Sequence, residues 1–169
     1  MDYLGRMAEI LVTVVLLFFV PLTYVAVRND FLSQTYVTTE TTYFVNSIRN
    51  IGFINKQMYE EFVKKLAITG IPYEISMTHY KNKIKEQSIV EGEEVMYLPF
   101  YEGVFHEDVL HDLLEKEIYF FQKGDFFSVL IKKKGITWSD RIENFLTGRN
   151  QQQEEVQVIY GGAIRDEIR

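Results

Sequence analysis

The chain has 169 residues, a formal net charge of −6 and no cysteine. The missing cysteine excludes disulfides, thiolate metal centres and cysteine nucleophiles. The acidic balance argues against nucleic acid as a partner, since phosphate binding needs a dense basic face.

Reading from the start, Ile10 to Val27 (ILVTVVLLFFVPLTYVAV) contains no charged residue. At about 1.5 Å per helical residue this run reaches across a hydrocarbon core about 30 Å thick. Thirteen of its side chains are Leu, Ile, Phe or Val, and together they favour insertion by about 5 kcal/mol. Pro21 removes a hydrogen bond to the carbonyl of Leu17, so a kink or loosened turn is expected there. A cleaved secretory signal is the alternative. Against it stand the cancelling charges of Asp2 and Arg6, the long apolar run and the lack of a small-x-small motif around Ala26. The reading is an uncleaved single-pass anchor in a lipid bilayer. Arg6 and Arg28 flank it almost symmetrically, and the short N-terminal tail favours an extracytoplasmic C-terminal domain.

Neither Pro nor Gly interrupts the chain between Pro21 and Gly52. Phe31, Val37, Phe44, Ile48 and Ile51 recur there at near-helical spacing, so the membrane helix is expected to continue as an amphipathic helix ending at Gly52. The threonines among them lower helix propensity, which makes the extension dependent on packing. The organisation read from this is an anchor over 1–30, its amphipathic continuation over 31–52, and a soluble head over 53–169.

In the head, Asn55 is placed to cap a helix carrying Tyr59, Phe62, Val63 and Leu66 on one face, with Gly70 as its stop. Pro72 launches an alternating strand, Tyr73 to Tyr80, and the charged stretch Lys81 to Glu94 reads as a mobile loop. Val95 to Phe100 reads as a strand, and Glu107 to Glu117 as a helix burying Val109, Leu110, Leu113 and Leu114. Two aromatic, β-branched runs within Ile118 to Lys133, joined by Lys123-Gly124-Asp125, predict a hairpin. Thr137 caps a last helix with Trp138, Ile142, Phe145 and Leu146 expected inward and Gly148 at its end. Arg149 to Glu155 reads as an exposed loop. Val156 to Tyr160 alternates as a strand and meets Gly161-Gly162, where the backbone must turn or approach something closely. The sum is an α+β fold, a long N-terminal helix packed on a small antiparallel-sheet head.

Catalytic and metal patterns are absent. His106 and His111 lie five apart, on different sides of a helix, and cannot clamp one metal; His79 stands on a strand. Adjacent carboxylate pairs such as Glu60-Glu61 and Glu93-Glu94 point apart and read as solvated faces. No cofactor, metal or catalytic residue is assigned, and the chain reads as a non-enzyme. Glu9 is the better-placed polar residue. A carboxylate at the membrane edge of the apolar run snorkels, protonates or meets a cation such as Arg6 or a neighbouring subunit's amine.

An apolar N-terminal helix with Glu9 near its start and Pro21 near its middle, extended by an amphipathic segment into a small α+β head, resembles the type IV pilin superfamily. More narrowly it is similar to the TadE-like, pseudopilin-type subunits of bacterial tight-adherence pilus systems. The likeness covers residues 1 to about 52. It implies processing after Gly5, before Arg6, and an assembly role for Glu9 and Pro21. Glu9 would be the fourth mature residue where the family has the fifth, and the leader carries Asp2 where a basic residue is usual. The implied role is a structural, non-catalytic subunit of a pilus or secretion assembly, whose partners are other pilin-like subunits or the assembly machinery. The alternative is a membrane-tethered module that binds a ligand or envelope partner, in which case an exposed aromatic patch at Phe100, Tyr101 and Phe105 is expected on the head.

Overall fold

A computed structural model describes residues 2–88, 95–148 and 157–165. The expected loop over 149–155, and part of that over 81–94, lie outside the described residues. The described chain is α+β, with a long N-terminal helix, short helices and a small antiparallel-sheet head. Its elements are α1 (Asp2–Ile51), β1 (Phe53–Asn55), α2 (Lys56–Ala67), β2 (Tyr73–Ser88), β3 (Val95–Val104), α3 (His106–Lys116), β4 (Ile118–Phe120), β5 (Phe126–Lys133), α4 (Trp138–Thr147) and β6 (Gln157–Ala163). They form two compact units. One joins Met1–Tyr36 with Gly135–Glu154; the other joins Val37–Lys134 with Glu155–Arg169.

α1 runs without a break through Pro21 and stops where expected. Gly52 takes a left-handed φ of 76°, and its N–H donates to the carbonyl of Ile48 at 2.8 Å. This is the left-handed stop that glycine makes cheaply.

In the larger unit, Val37, Phe44, Val45 and Ile48 on the last turns of α1 join one core with Met77, Phe127, Val129 and Ile131 of the sheet. Of the expected stripe, Val37, Phe44 and Ile48 are buried. Phe31 is exposed, while Thr41 is buried and its hydroxyl donates to the carbonyl of Val37 at 2.7 Å. That internal bond lets a threonine occupy an apolar stripe without stranding a polar atom. Phe44 stacks on Phe62 of α2 with ring centres 4.2 Å apart. α2 itself starts on Asn55, whose side chain accepts from the Met58 N–H at 2.8 Å.

The main sheet has the order β3-β2-β5-β6, and β1 pairs with β4 in a separate two-stranded ladder. All pairings are antiparallel. Two expectations are corrected here. The charged stretch after Tyr80 is strand as far as Ser88, paired along its length with β3. This stretch is bonded along one edge only, to β3, because β5 pairs with Tyr73–Tyr80; a ladder made by backbone groups does not need apolar side chains. The run Ile118 to Lys133 is not a hairpin. Its first half pairs with β1 and its second with β2 and β6. The tight turn is present, with Gly124 at φ 92° and Asp125 N–H donating to the Gln122 carbonyl at 3.0 Å. The strands leave it for different partners because the Phe121 N–H donates to the Gly52 carbonyl, at 2.9 Å, extending the β1 ladder.

β6 continues through Gly161 and Gly162 rather than turning there. The close-approach reading applies instead. A Cβ on Gly161 would lie 2.7 Å from the Ser128 Cβ and 2.8 Å from the Phe127 carbonyl oxygen; one on Gly162 would meet the guanidinium of Arg49. That guanidinium ties α1 to the strand end, its Nε donating to the Ala163 carbonyl at 2.9 Å. The Arg165 N–H returns a bond to the Arg49 carbonyl at 2.8 Å.

Candidate functional surfaces

Three places concentrate unusual chemistry: the first part of α1, a buried polar chain in the head, and the outer face of the sheet.

The first part of α1 is apolar and exposed. Val14, Leu17, Phe18, Leu22 and Val25 all stand open, as do Tyr3, Leu4 and Met7 before them. The helix is long and apolar enough to cross a membrane, and none of its most apolar window is buried within the protein. Gly5 lies inside the helix with open space around its Cα. Arg6 and Glu9 are both exposed. The Glu9 carbonyl accepts from the Thr13 hydroxyl at 2.8 Å, so the helix continues regularly past it. Pro21 is exposed, on a side of the helix apart from the half-buried Phe19, Thr23, Ala26 and Asp30.

The buried polar chain links β2, β4 and the turn before β5. His79 is 1% exposed and Asp125 2%. His79 Nε2 lies 2.8 Å from Asp125 Oδ2, and Nδ1 lies 2.8 Å from the Tyr119 hydroxyl. An ionised Asp125 only accepts, so Nε2 carries the ring proton and the tyrosine donates to Nδ1. Asp125 also accepts from the N–H groups of Asn82, at 2.9 Å, and Gln122, at 2.8 Å.

Burial lowers the His79 pKa from its ordinary value, against the opposing pull of Asp125. Burial pushes the Tyr119 hydroxyl up to about 12, with Asp112 and Asp125 adding to it. For Asp125 burial pushes upward, but the bonds from Asn82, Gln122 and His79 outweigh it and hold the carboxyl below its usual range. Neutral imidazole, neutral phenol and carboxylate are therefore the resting species. Phe121 packs edge-on to the imidazole, ring centres 4.7 Å apart. Closed in this way, the chain fastens β2, β4 and the turn before β5 to one another.

This chain of residues was missed in the sequence, where His79 read as a strand histidine and Asp125 as a turn residue. The alternation of Tyr73 to Tyr80 did place His79 on the same side as Met77; nothing local pointed to Tyr119.

On the outer face of the sheet, Tyr80 sits opposite Phe126 with ring centres 6.2 Å apart. Gly103 sits opposite Tyr80 on the other side. The missing side chain there leaves room for the Phe105 ring, whose tip would lie 3.6 Å from a Cβ on Gly103. Tyr101, two residues before Gly103, shares this face. The expected aromatic residues are thus divided. Phe100, Tyr101 and Phe105 are all exposed, but the strand alternation turns Phe100 to the opposite side. The face that forms is Tyr101, Phe105, Tyr80 and Phe126.

Among the described residues no group of three or more His, Asp or Glu side chains is placed to hold a metal ion. No protein-family profile, curated protein or solved structure matches the chain, so its function rests on the geometry of these surfaces.

Proposed function

We propose that the protein is a single-pass, membrane-anchored, non-catalytic structural subunit of a pilin-like assembly, with its head on the extracytoplasmic side. The observation that carries this is the division of labour along α1. From Val37 onward the helix buries a continuous stripe in the head core. Before that, the same helix leaves Leu, Val and Phe side chains open on nearly all sides. A surface of that kind is unstable in water and suits lipid or like helices. Glu9 is assigned the lateral contact at the membrane edge, where a cation on a sister subunit would offset the cost of placing a carboxylate there. The closed His79–Asp125–Tyr119 chain supports a scaffolding role for the head.

The test is disulfide crosslinking through a single Cys at Val14 or Leu17, both exposed on α1, in native membranes with the neighbouring assembly components present. Dimers and higher ladders are expected. Monomers alone at both positions would overturn the assembly role.

A second reading has its own observation. The outer aromatic face of Tyr80, Tyr101, Phe105 and Phe126 suits a partner segment, as in a tethered binding module. Polar substitution at Tyr101 and Phe105 that abolishes partner capture while leaving the crosslinked ladders intact would favour it.

A further inference from the structure

We propose that α4 is a second membrane-contacting element, which lies along the anchor and presents Trp138, Phe145 and Leu146 to the lipid bilayer. The inference rests on the membrane reading of α1 above.

α4 was expected to bury the apolar face formed by Trp138, Ile142, Phe145 and Leu146. Its sequence has that face, and its start is well made. The Thr137 hydroxyl accepts from the Asp140 N–H, and the Asp140 carboxylate accepts from the Thr137 N–H at 2.8 Å. Yet the face is turned outward. Trp138 is 74% exposed and Phe145 79%, with Leu146 and the preceding Ile136 also open. The less exposed positions are polar ones, Asp140, Ser139 and Asn144, together with Ile142. An amphipathic helix in water places its apolar side inward. One that places it outward is built for a non-aqueous neighbour.

Two contacts identify that neighbour. At the start of α4, the Thr137 hydroxyl bonds the Asp30 carboxylate at 2.5 Å. Asp30 stands just past the uncharged run, beside Arg28, at the level of the membrane interface. At the other end, the Phe145 ring lies 6.3 Å from that of Phe19, eight residues inside the run. The half-buried residues of α1 between these ties, Thr23 and Ala26, fall on the same side of the helix as Phe19 and Asp30. α4 therefore descends beside the anchor, from the interface to about 12 Å inside the apolar span at 1.5 Å per residue. Wherever lipid surrounds Phe19, it also meets Phe145.

Trp138 and Arg141 lie toward the shallow end of this path, Glu143 is exposed midway along it, and Phe145 and Leu146 lie at its deep end. Trp138, at the shallow end, is the type of residue that membranes hold at the headgroup level. Arg141 lies with its guanidinium 5.3 Å from the Trp138 ring centre, close to where a snorkelling cation would reach the phosphates. Phe145 and Leu146, at the deep end, carry no polar atom. A second copy of the chain would be the other occupant of such a face. Lipid is favoured because the face continues the exposed apolar surface of α1 itself.

The chain has one tryptophan, so Trp138 reports its own surroundings. The full-length protein is reconstituted in phosphatidylcholine vesicles carrying nitroxide labels near the headgroup or at mid-chain. Trp138 fluorescence should be lost to the headgroup-proximal label and resist aqueous acrylamide. In W138F/F145W the tryptophan moves to the deep end, and the order of labels should reverse in favour of mid-chain. Quenching of Trp138 by acrylamide but by neither lipid label overturns the proposal. So does a Trp138 shielded from both, which would mean that protein covers it. Carbonate washing of the same vesicles separates the failures. If the protein stays with the vesicles while Trp138 is open to acrylamide, α4 is wrong and the anchor stands. If the protein is stripped, the anchor reading falls and α4 with it.

Discussion

His79 and Asp125, 46 positions apart, share a 2.8 Å hydrogen bond with both side chains out of water. The carboxylate also closes the turn before β5 and fixes the Asn82 N–H on β2. Removing it strands three donors at once. Asp125→Ala is expected to destabilise the head by on the order of 3 kcal/mol, as unsatisfied buried groups do. Urea unfolding of the detergent-solubilised chain measures this. Asp112→Ala, which removes only a surface pair with Lys116, should leave the midpoint close to the parent.

The same histidine makes the head sensitive to mild acid. Burial holds the folded-state pKa of His79 below its ordinary 6.5, and burial lowers that of His106 as well. A folded state that disfavours the charged imidazole is fully stabilised above the unfolded value. It loses that stability as pH falls from there toward the folded value. For His79 the slope reaches at most about 1.4 kcal/mol per pH unit. His106 Nδ1 also accepts from the Met77 N–H, at 3.3 Å, a bond that protonation removes. Unfolding midpoints should be flat above pH 7 and fall below about pH 6.5; His79→Gln should flatten the fall. A pH-independent midpoint from 7 to 5 would contradict this.

Gly161 is held by close packing, not by its backbone angles. The first atoms a Cβ would meet are the Ser128 Cβ and the Phe127 carbonyl oxygen, and a neighbouring strand cannot yield as a flexible side chain does. Gly161→Ala should cost about 1–3 kcal/mol. Gly103→Ala is the control, because its Cβ would meet only side-chain atoms of Phe105 and Tyr80 at ordinary distances. Thermal melts of the two variants should separate clearly.

Thr137 serves two partners, the first turn of α4 and Asp30. Thr137→Ala should cost about 1 kcal/mol from the lost cap, expressed locally. Amide exchange in α4 should quicken while that of Met77 and Val129 in the sheet stays as in the parent.

What was legible in the sequence was local chemistry. Asn55 and Thr137 were identifiable as helix caps and Gly52 as a stop because each acts on backbone groups within a turn of itself. The long apolar helix was legible because eighteen uncharged residues need no tertiary context. Pairing was not legible. Phe121 and Phe127 flank one tight turn, yet the strand before it belongs with β1, an alternative that lies some sixty-five residues upstream. The latter half of β2 hid because its ladder to β3 is made by backbone groups, which leaves its side chains free to be polar. The outward face of α4 hid for a related reason. Periodicity reveals that Trp138, Ile142 and Phe145 share a side; it says nothing of what that side meets. The polar chain around His79 required three distant residues to converge, and only the fold supplies that.

The central claim is that α1 is seated in a bilayer. The most direct measurement is alkaline carbonate extraction of native membranes, followed by detection of the full-length chain. The account predicts that it stays in the membrane pellet and is released only by detergent. Recovery of the intact chain in the carbonate supernatant would contradict it.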